Sequence, residues 1–152
     1  MDAKAIWREG LAFTGIAHQG HQIQLDSNAS ESAASPMELV AVAIASCTGM
    51  DVISVLNKKR EKITAFEVRL HATRAPDHPK VFTRAKLEYV VVGHGIQEGA
   101  LLRAIELSVT KYCSVHAMMH KVFPMELHYS IYEDEGRGGH RLVKQGAYSH
   151  RH

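Results

Sequence analysis

The stretch Ser35–Arg60, SPMELVAVAIASCTGMDVISVLNKKR, decides how the rest of the chain is read. Ser35 suits a helix N-cap, Pro36 the first helical position, and Glu38 completes a capping box three residues after the cap. Lys58, Lys59 and Arg60 supply cations where the helix end carries partial negative charge. Between these ends, Leu39 to Ala45 is apolar or small on every side, which is the pattern of a buried helix. At ~1.5 Å per residue the stretch is ~39 Å long, more than a small domain is wide. Its expected setting is a core shared with a second copy of the chain. Cys47, one of only two cysteines, lies near its middle.

Outward from this helix the pattern is short strands and turns. Ile6, Trp7, Leu11 and Phe13 supply strand-favouring bulk between Gly10, Gly15 and Gly20, predicting two or three strands over residues 4–26 with the glycines at turns. The alternation in HQIQLD, His21–Asp26, suits a half-exposed strand. SNASESAAS, residues 27–35, is a polar loop leading to the helix cap. After the helix, Phe66, Val68 and Leu70 alternate with Glu67, Arg69 and His71, as in a strand with one buried face. APDHPK turns the chain into a second strand carrying Ala85, Leu87, Tyr89 and Val91. The two strands are expected to pair as a hairpin, with Gly93 and Gly95 breaking the pattern. Ala100, Leu101, Ala104, Ile105, Leu107 and Ser108 return to helical spacing. A break is expected before a short helix capped by Ser114, with Cys113 just ahead of it. Met125, Leu127, Tyr129 and Ile131 mark a last strand. EDEGRGGHRLVKQGAYSHRH, residues 133–152, lacks a usable pattern and is expected to be an irregular, mobile tail. The sum is one α+β domain over residues 1–132, without internal repeat.

Composition narrows the function. Apolar residues make up 45% of the 152-residue chain and charged residues 22%, an ordinary globular balance. A net charge of +2 gives no electrostatic reason for a nucleic-acid partner or an acidic membrane. No unbroken apolar run of ~18 residues predicts a membrane span. MDAKAIWREG has no apolar signal core, so a cytoplasmic location is expected. Two cysteines argue for redox chemistry, metal binding or buried thiols over a disulfide scaffold.

SPMELVAVAIASCTGMDVISVL, followed much later by KYCSV, resembles the OsmC/Ohr family of osmotically induced and organic hydroperoxide resistance proteins, closest to its YhfA-like branch. The resemblance runs from Ile6 to about Tyr132. It implies antiparallel sheets wrapped around long central helices in an intertwined homodimer. It also implies a stress-response peroxidase chemistry without a cofactor or resident metal. Cys47 would attack an organic hydroperoxide, Cys113 would close a disulfide on the resulting sulfenic acid, and a dithiol or thiol reductant would reset the pair. Glu38 and Arg8 are the candidates for the charged pair that activates the attacking thiolate in peroxidase members. Met37 follows Pro36 where those members carry a glutamate. Met37, Met50 and Tyr112, with Phe82 and Met118, are candidates for an apolar substrate surround.

The residues allow other readings. A mid-helix cysteine among apolar neighbours is a poor nucleophile, and Asp51, one turn on, makes ionisation harder still. Cys113 at a helix N-terminus has an independent claim to a stabilised thiolate. A non-catalytic small-molecule-binding dimer with the same fold is one alternative. A metal protein using Cys113, His116 and His120, spaced along one helix face, is the other. His140, His150 and His152 in the tail would bind metal only adventitiously.

Overall fold

The computed structural model describes residues 1–27 and 30–149. The chain falls into two compact units, Met1–Val42 and Ala43–His152.

The first unit holds three strands, β1 (Lys4–Glu9), β2 (Ala12–Ile16) and β3 (Gln22–Leu25), paired antiparallel in that order. Gly10 (φ 51°) and Gly20 (φ 91°) make the turns, in a left-handed region that costs glycine nothing. Gly15, expected at a turn, lies within β2 opposite Ile23. Across this sheet the Arg8 Nε donates to the Thr14 hydroxyl at 3.0 Å, and Thr14 donates to the Gln24 carbonyl at 3.0 Å.

Helix α1 spans Pro36–Lys58. Its start is the expected capping box. The Glu38 N–H donates to the Ser35 hydroxyl at 3.3 Å, and the Ser35 N–H returns the bond to the Glu38 carboxylate at 3.1 Å. Burial departs from expectation. Ile44, Thr48, Val52 and Leu56, four residues apart, are fully buried, whereas Met50 is 69% exposed. One chain therefore covers one stripe of the helix, and its exposed positions mix Val42 and Met50 with Ser46, Ser54 and Asn57. By length and mean hydropathy, 2.1, α1 is apolar enough to cross a membrane, although no charge-free run of that length was evident in the sequence. A core helix meets the same measure, and the buried stripe of α1 serves as core here.

The second unit is built on a four-stranded sheet in the order β4 (Lys62–Arg74), β5 (Phe82–His94), β6 (Met125–Gly136) and β7 (Gly139–Tyr148). β4 and β5 form the expected antiparallel hairpin, closed by the Ala75 N–H on the Val81 carbonyl at 2.8 Å. β5 and β6 are parallel, so the sheet is mixed rather than wholly antiparallel. Parallel strands need a long crossover. Helix α2 (Glu98–Leu107), a π-helical turn (Ser108–Tyr112) and helix α3 (Ser114–Met119) provide it.

Register puts Val68, Tyr89 and Tyr129 in one row, Leu70, Leu87 and Leu127 in a second, and Phe66, Val91 and Ile131 in a third. The β5 and β6 members of these rows, with Ile44, Val52 and Leu56 of α1 and Leu101, Ala104 and Ile105 of α2, form the core, and the β4 members Phe66, Val68 and Leu70 are half-buried. At Gly49 a Cβ would lie 3.2 Å from the Val68 side chain, so α1 packs tightly against β4 there.

Two further sequence expectations fail. Gly93 does not end the strand; β5 continues through it to His94, and glycine is required because a Cβ would overlap the Lys62 carbonyl. Residues 133–148 are not an irregular tail. β6 runs on to Gly136, and Gly136, Arg137 and Gly138, all at positive φ, turn the chain into β7, antiparallel along β6. Short-range patterning missed β7 because its side chains are mostly exposed. What places it in the sheet is main-chain pairing with β6. His150 and His152 lie outside the described residues.

Candidate active site

Cys47 sits on α1 between Ser46 and the fully buried Thr48, itself half-buried. Cys113 closes the π-helical turn: its N–H donates to the Ser108 carbonyl at 2.8 Å, and its own backbone is extended (φ −76°, ψ 102°). That conformation makes Cys113 the N-cap of α3, in place of the expected Ser114. The Cys113 sulfur accepts the His116 N–H at 3.3 Å. A single π-turn inside a helix is uncommon and tends to mark sites. Here it turns the chain so that Cys113 meets α1.

Both cysteines are free thiols, and the Cys47 side chain neighbours that of Cys113 closely enough to affect its ionisation. They differ in exposure, because Cys113 is buried at 2% while Cys47 keeps partial access. The Cys113 thiol is pushed up to about 12. Burial is the main cause; the hydrogen bond to Cys47 and the charges at Cys47 and Asp51 add to it, and the His116 N–H opposes it. The expectation that a helix N-terminus would stabilise this thiolate is therefore overturned. One amide from a six-residue helix does not outweigh desolvation.

Behind the pair lies a chain of polar groups. The Thr48 hydroxyl bonds to the Tyr89 hydroxyl and to the Ser108 hydroxyl, each at 2.7 Å. Ser108 donates to the Asp51 carboxylate at 3.0 Å. Thr48, Tyr89 and Ser108 are all fully buried. The Tyr89 phenol is pushed up, by burial first and then by the charges at Cys113 and Asp51. Sequence reading counted Ser108 and Tyr89 among apolar-face positions and passed over Thr48. The available signal was a hydroxyl at buried positions of α1, of β5 and of the π-helical turn, since buried hydroxyls need partners.

The other candidates sit as follows. Arg8 is tied to Thr14 and Glu38 to the Ser35 cap, both within the first unit. Met37 is half-buried at the start of α1. In the second unit Met50, Tyr112 and Met118 are exposed at 69%, 53% and 58%. Phe82 packs edge-on against Phe123, with ring centres 5.8 Å apart. The His116 and His120 rings lie stacked, 5.2 Å apart and 11° from parallel, and do not converge with the Cys113 sulfur. Among the described residues no three histidines, cysteines or carboxylates are grouped to hold a metal ion. The geometry thus counts against the metal reading. The His116 Nδ1 is buried without a hydrogen-bond partner. Burial, then the neighbouring His120, lowers the affinity of His116 for a proton.

A mixed sheet carrying a long helix, with one thiol on that helix and a second on the crossover, defines the class. Residues 29–128 match the family model of OsmC-like proteins. The chain is 39% identical to the protein YhfA of Escherichia coli K12 over 131 residues, 86% of this chain and 98% of that one. A hypothetical protein from Aquifex aeolicus superposes with a TM-score of 0.79 at 30% identity, over 88% of this chain and 97% of that one. An organic hydroperoxide resistance protein OsmC from Legionella pneumophila shares the fold, with a TM-score of 0.61 at 15% identity over 86% and 94%. The chain belongs to the OsmC-like family.

Proposed function

We propose that this protein is a two-cysteine redox protein that reduces organic hydroperoxides, with Cys47 attacking and Cys113 resolving. The observation that carries the reading is a pair of neighbouring free thiols, one half-buried and one buried. Membership of a fold family that includes an organic hydroperoxide resistance protein supports it.

The Cys47 thiolate attacks the outer peroxide oxygen and the O–O bond breaks, leaving a sulfenic acid and an alkoxide. The alkoxide takes the proton of Cys113 and departs as the alcohol. The Cys113 thiolate then attacks the Cys47 sulfur. Hydroxide leaves, is protonated by solvent to water, and an intramolecular disulfide remains. A dithiol or thiol reductant supplies the two electrons that restore the thiols. Cys113 suits the resolving role because burial keeps its proton on until a stronger base forms beside it.

The exposed Met50 and Tyr112 suit an apolar hydroperoxide tail. Met37 joins that surround in this reading. Glu38 and Arg8 remain the candidates for the activating charged pair in this reading, Glu38 being bonded to the Ser35 cap and Arg8 to Thr14. The protein would act as a cytoplasmic homodimer in a stress response. Exposed apolar residues support a partner copy: Trp7 and Leu11 in the first unit, Met50 in the second.

The test is a thiol titration and intact mass before and after a modest excess of cumene hydroperoxide. Both thiols should be lost together, with the chain two hydrogens lighter. Cys113→Ser should stop at a sulfenic acid on Cys47 that dimedone traps. If both thiols survive the peroxide, the chain is a binding scaffold with the same fold.

A further inference from the structure

Cys113 is held at each of its polar positions. Its N–H donates to the Ser108 carbonyl at 2.8 Å, its carbonyl accepts the Ala117 N–H at 3.0 Å, and its sulfur accepts the His116 N–H at 3.3 Å. The thiol therefore moves with the π-helical turn that carries it. That turn is joined to α1 at Ser108, whose hydroxyl bonds with Thr48 at 2.7 Å and with Asp51 at 3.0 Å. Thr48 directly follows Cys47 in the chain. Two short hydrogen bonds thus connect the cysteines: Thr48 to Ser108 through their hydroxyls, and Ser108 to Cys113 along the backbone. Thr48 and Ser108 are fully buried, so water does not compete for either hydroxyl. The other bond of Thr48, to the Tyr89 hydroxyl at 2.7 Å, ties α1 to β5 and does not lie between the cysteines.

We propose that Thr48 and Ser108 are positioning residues for the cysteine pair: their hydroxyl-to-hydroxyl bond fixes the π-helical turn against α1 and so sets the separation at which Cys113 closes a disulfide on Cys47. This role rests on the redox reading of the pair. A disulfide accepts a narrow range of separations, with the Cβ atoms roughly 3.5–4.5 Å apart. Holding two thiols near that range before reaction turns the meeting of two mobile groups into a nearly unimolecular closure. Apolar packing around α1 has no direction, whereas a hydrogen bond between hydroxyls fixes both distance and angle. A bond that served only to hold the core together would stabilise the fold without changing how readily the two thiols join.

The experiment equilibrates the protein with mixtures of reduced and oxidised glutathione at pH 7, without peroxide, and reads the disulfide fraction by intact mass. One oxidised glutathione becomes two reduced molecules as the two thiols become one disulfide. The native chain should close the Cys47–Cys113 disulfide. Ser108→Ala and Thr48→Val each break the hydroxyl bond, and each should lower the effective concentration of the two thiols about tenfold. Thr48→Ser keeps the hydroxyl and should match the native chain. Tyr89→Phe removes the other bond of Thr48, and should lose stability in thermal melts without moving the glutathione equilibrium. If Thr48→Val does not fold, Ser108→Ala compared with Tyr89→Phe decides. The proposal is overturned if Ser108→Ala closes as the native chain does, if Tyr89→Phe shifts closure as much, or if the native chain closes no disulfide in any mixture. Because no peroxide is used, a chain inert to hydroperoxide can pass this test and a reactive one can fail it, so the two failures are distinguishable.

Discussion

At the scale of single residues, close approach and burial decide most outcomes. Gly146 on β7 faces Tyr129, where a Cβ would come within 2.7 Å of the phenol oxygen. That space lets Tyr129 donate to Glu98 of α2 at 2.7 Å. His116 has the opposite problem, a buried imidazole with Nδ1 unpaired. Folding lowers its proton affinity below the ordinary 6.5, so between the folded value and 6.5 the unfolded chain binds more protons. Stability from this group is complete above 6.5 and is lost as the pH falls through the folded value. His116→Gln should therefore gain stability relative to the native protein on going from pH 7 to pH 5, in paired thermal melts. A difference that does not move with pH would refute this assignment.

At the scale of elements, β7 has the clearest consequence. It pairs with β6 from Leu127–Tyr148 to Gly136–Gly139 and covers the β6 edge. Truncation after Gly138 would leave that edge unpaired and expose part of Tyr129 and Ile131, at a cost of at least about 2 kcal/mol. Urea unfolding of the truncated chain should show it. An unchanged midpoint would mean that these residues behave as the dispensable tail their composition suggests. Helix α1 illustrates the reverse case. Its ends were legible because capping is local chemistry between Ser35 and Glu38. Which of its apolar sides is covered was not, because every side looks alike in sequence.

At the scale of the whole molecule, the apolar surface left by one chain is the guiding fact. Trp7 at 64%, Leu11 at 70% and Met50 at 69% exposure are costly to leave in water. The homodimer reading predicts a light-scattering mass of twice the 16.9 kDa chain at micromolar concentration. A monomer under those conditions would require another cover for these residues.

The amino-acid sequence by itself determined the elements whose signals are local or periodic. These are the cap and length of α1, the alternation of β4, β5 and β6, the turns at Gly10 and Gly20, and two cysteines in a family context. It did not reveal β7, because pairing with β6, not its own side-chain pattern, places it in the sheet. Nor did it reveal the chain from Tyr89 to Asp51, whose members are far apart in sequence and meet only after folding. The ranking of the two thiols also came from tertiary structure. Sequence favoured Cys113 as the easier to ionise, on the strength of a helix N-terminus. Burial of that sulfur removed the advantage, because desolvation of a thiolate outweighs a single amide hydrogen bond.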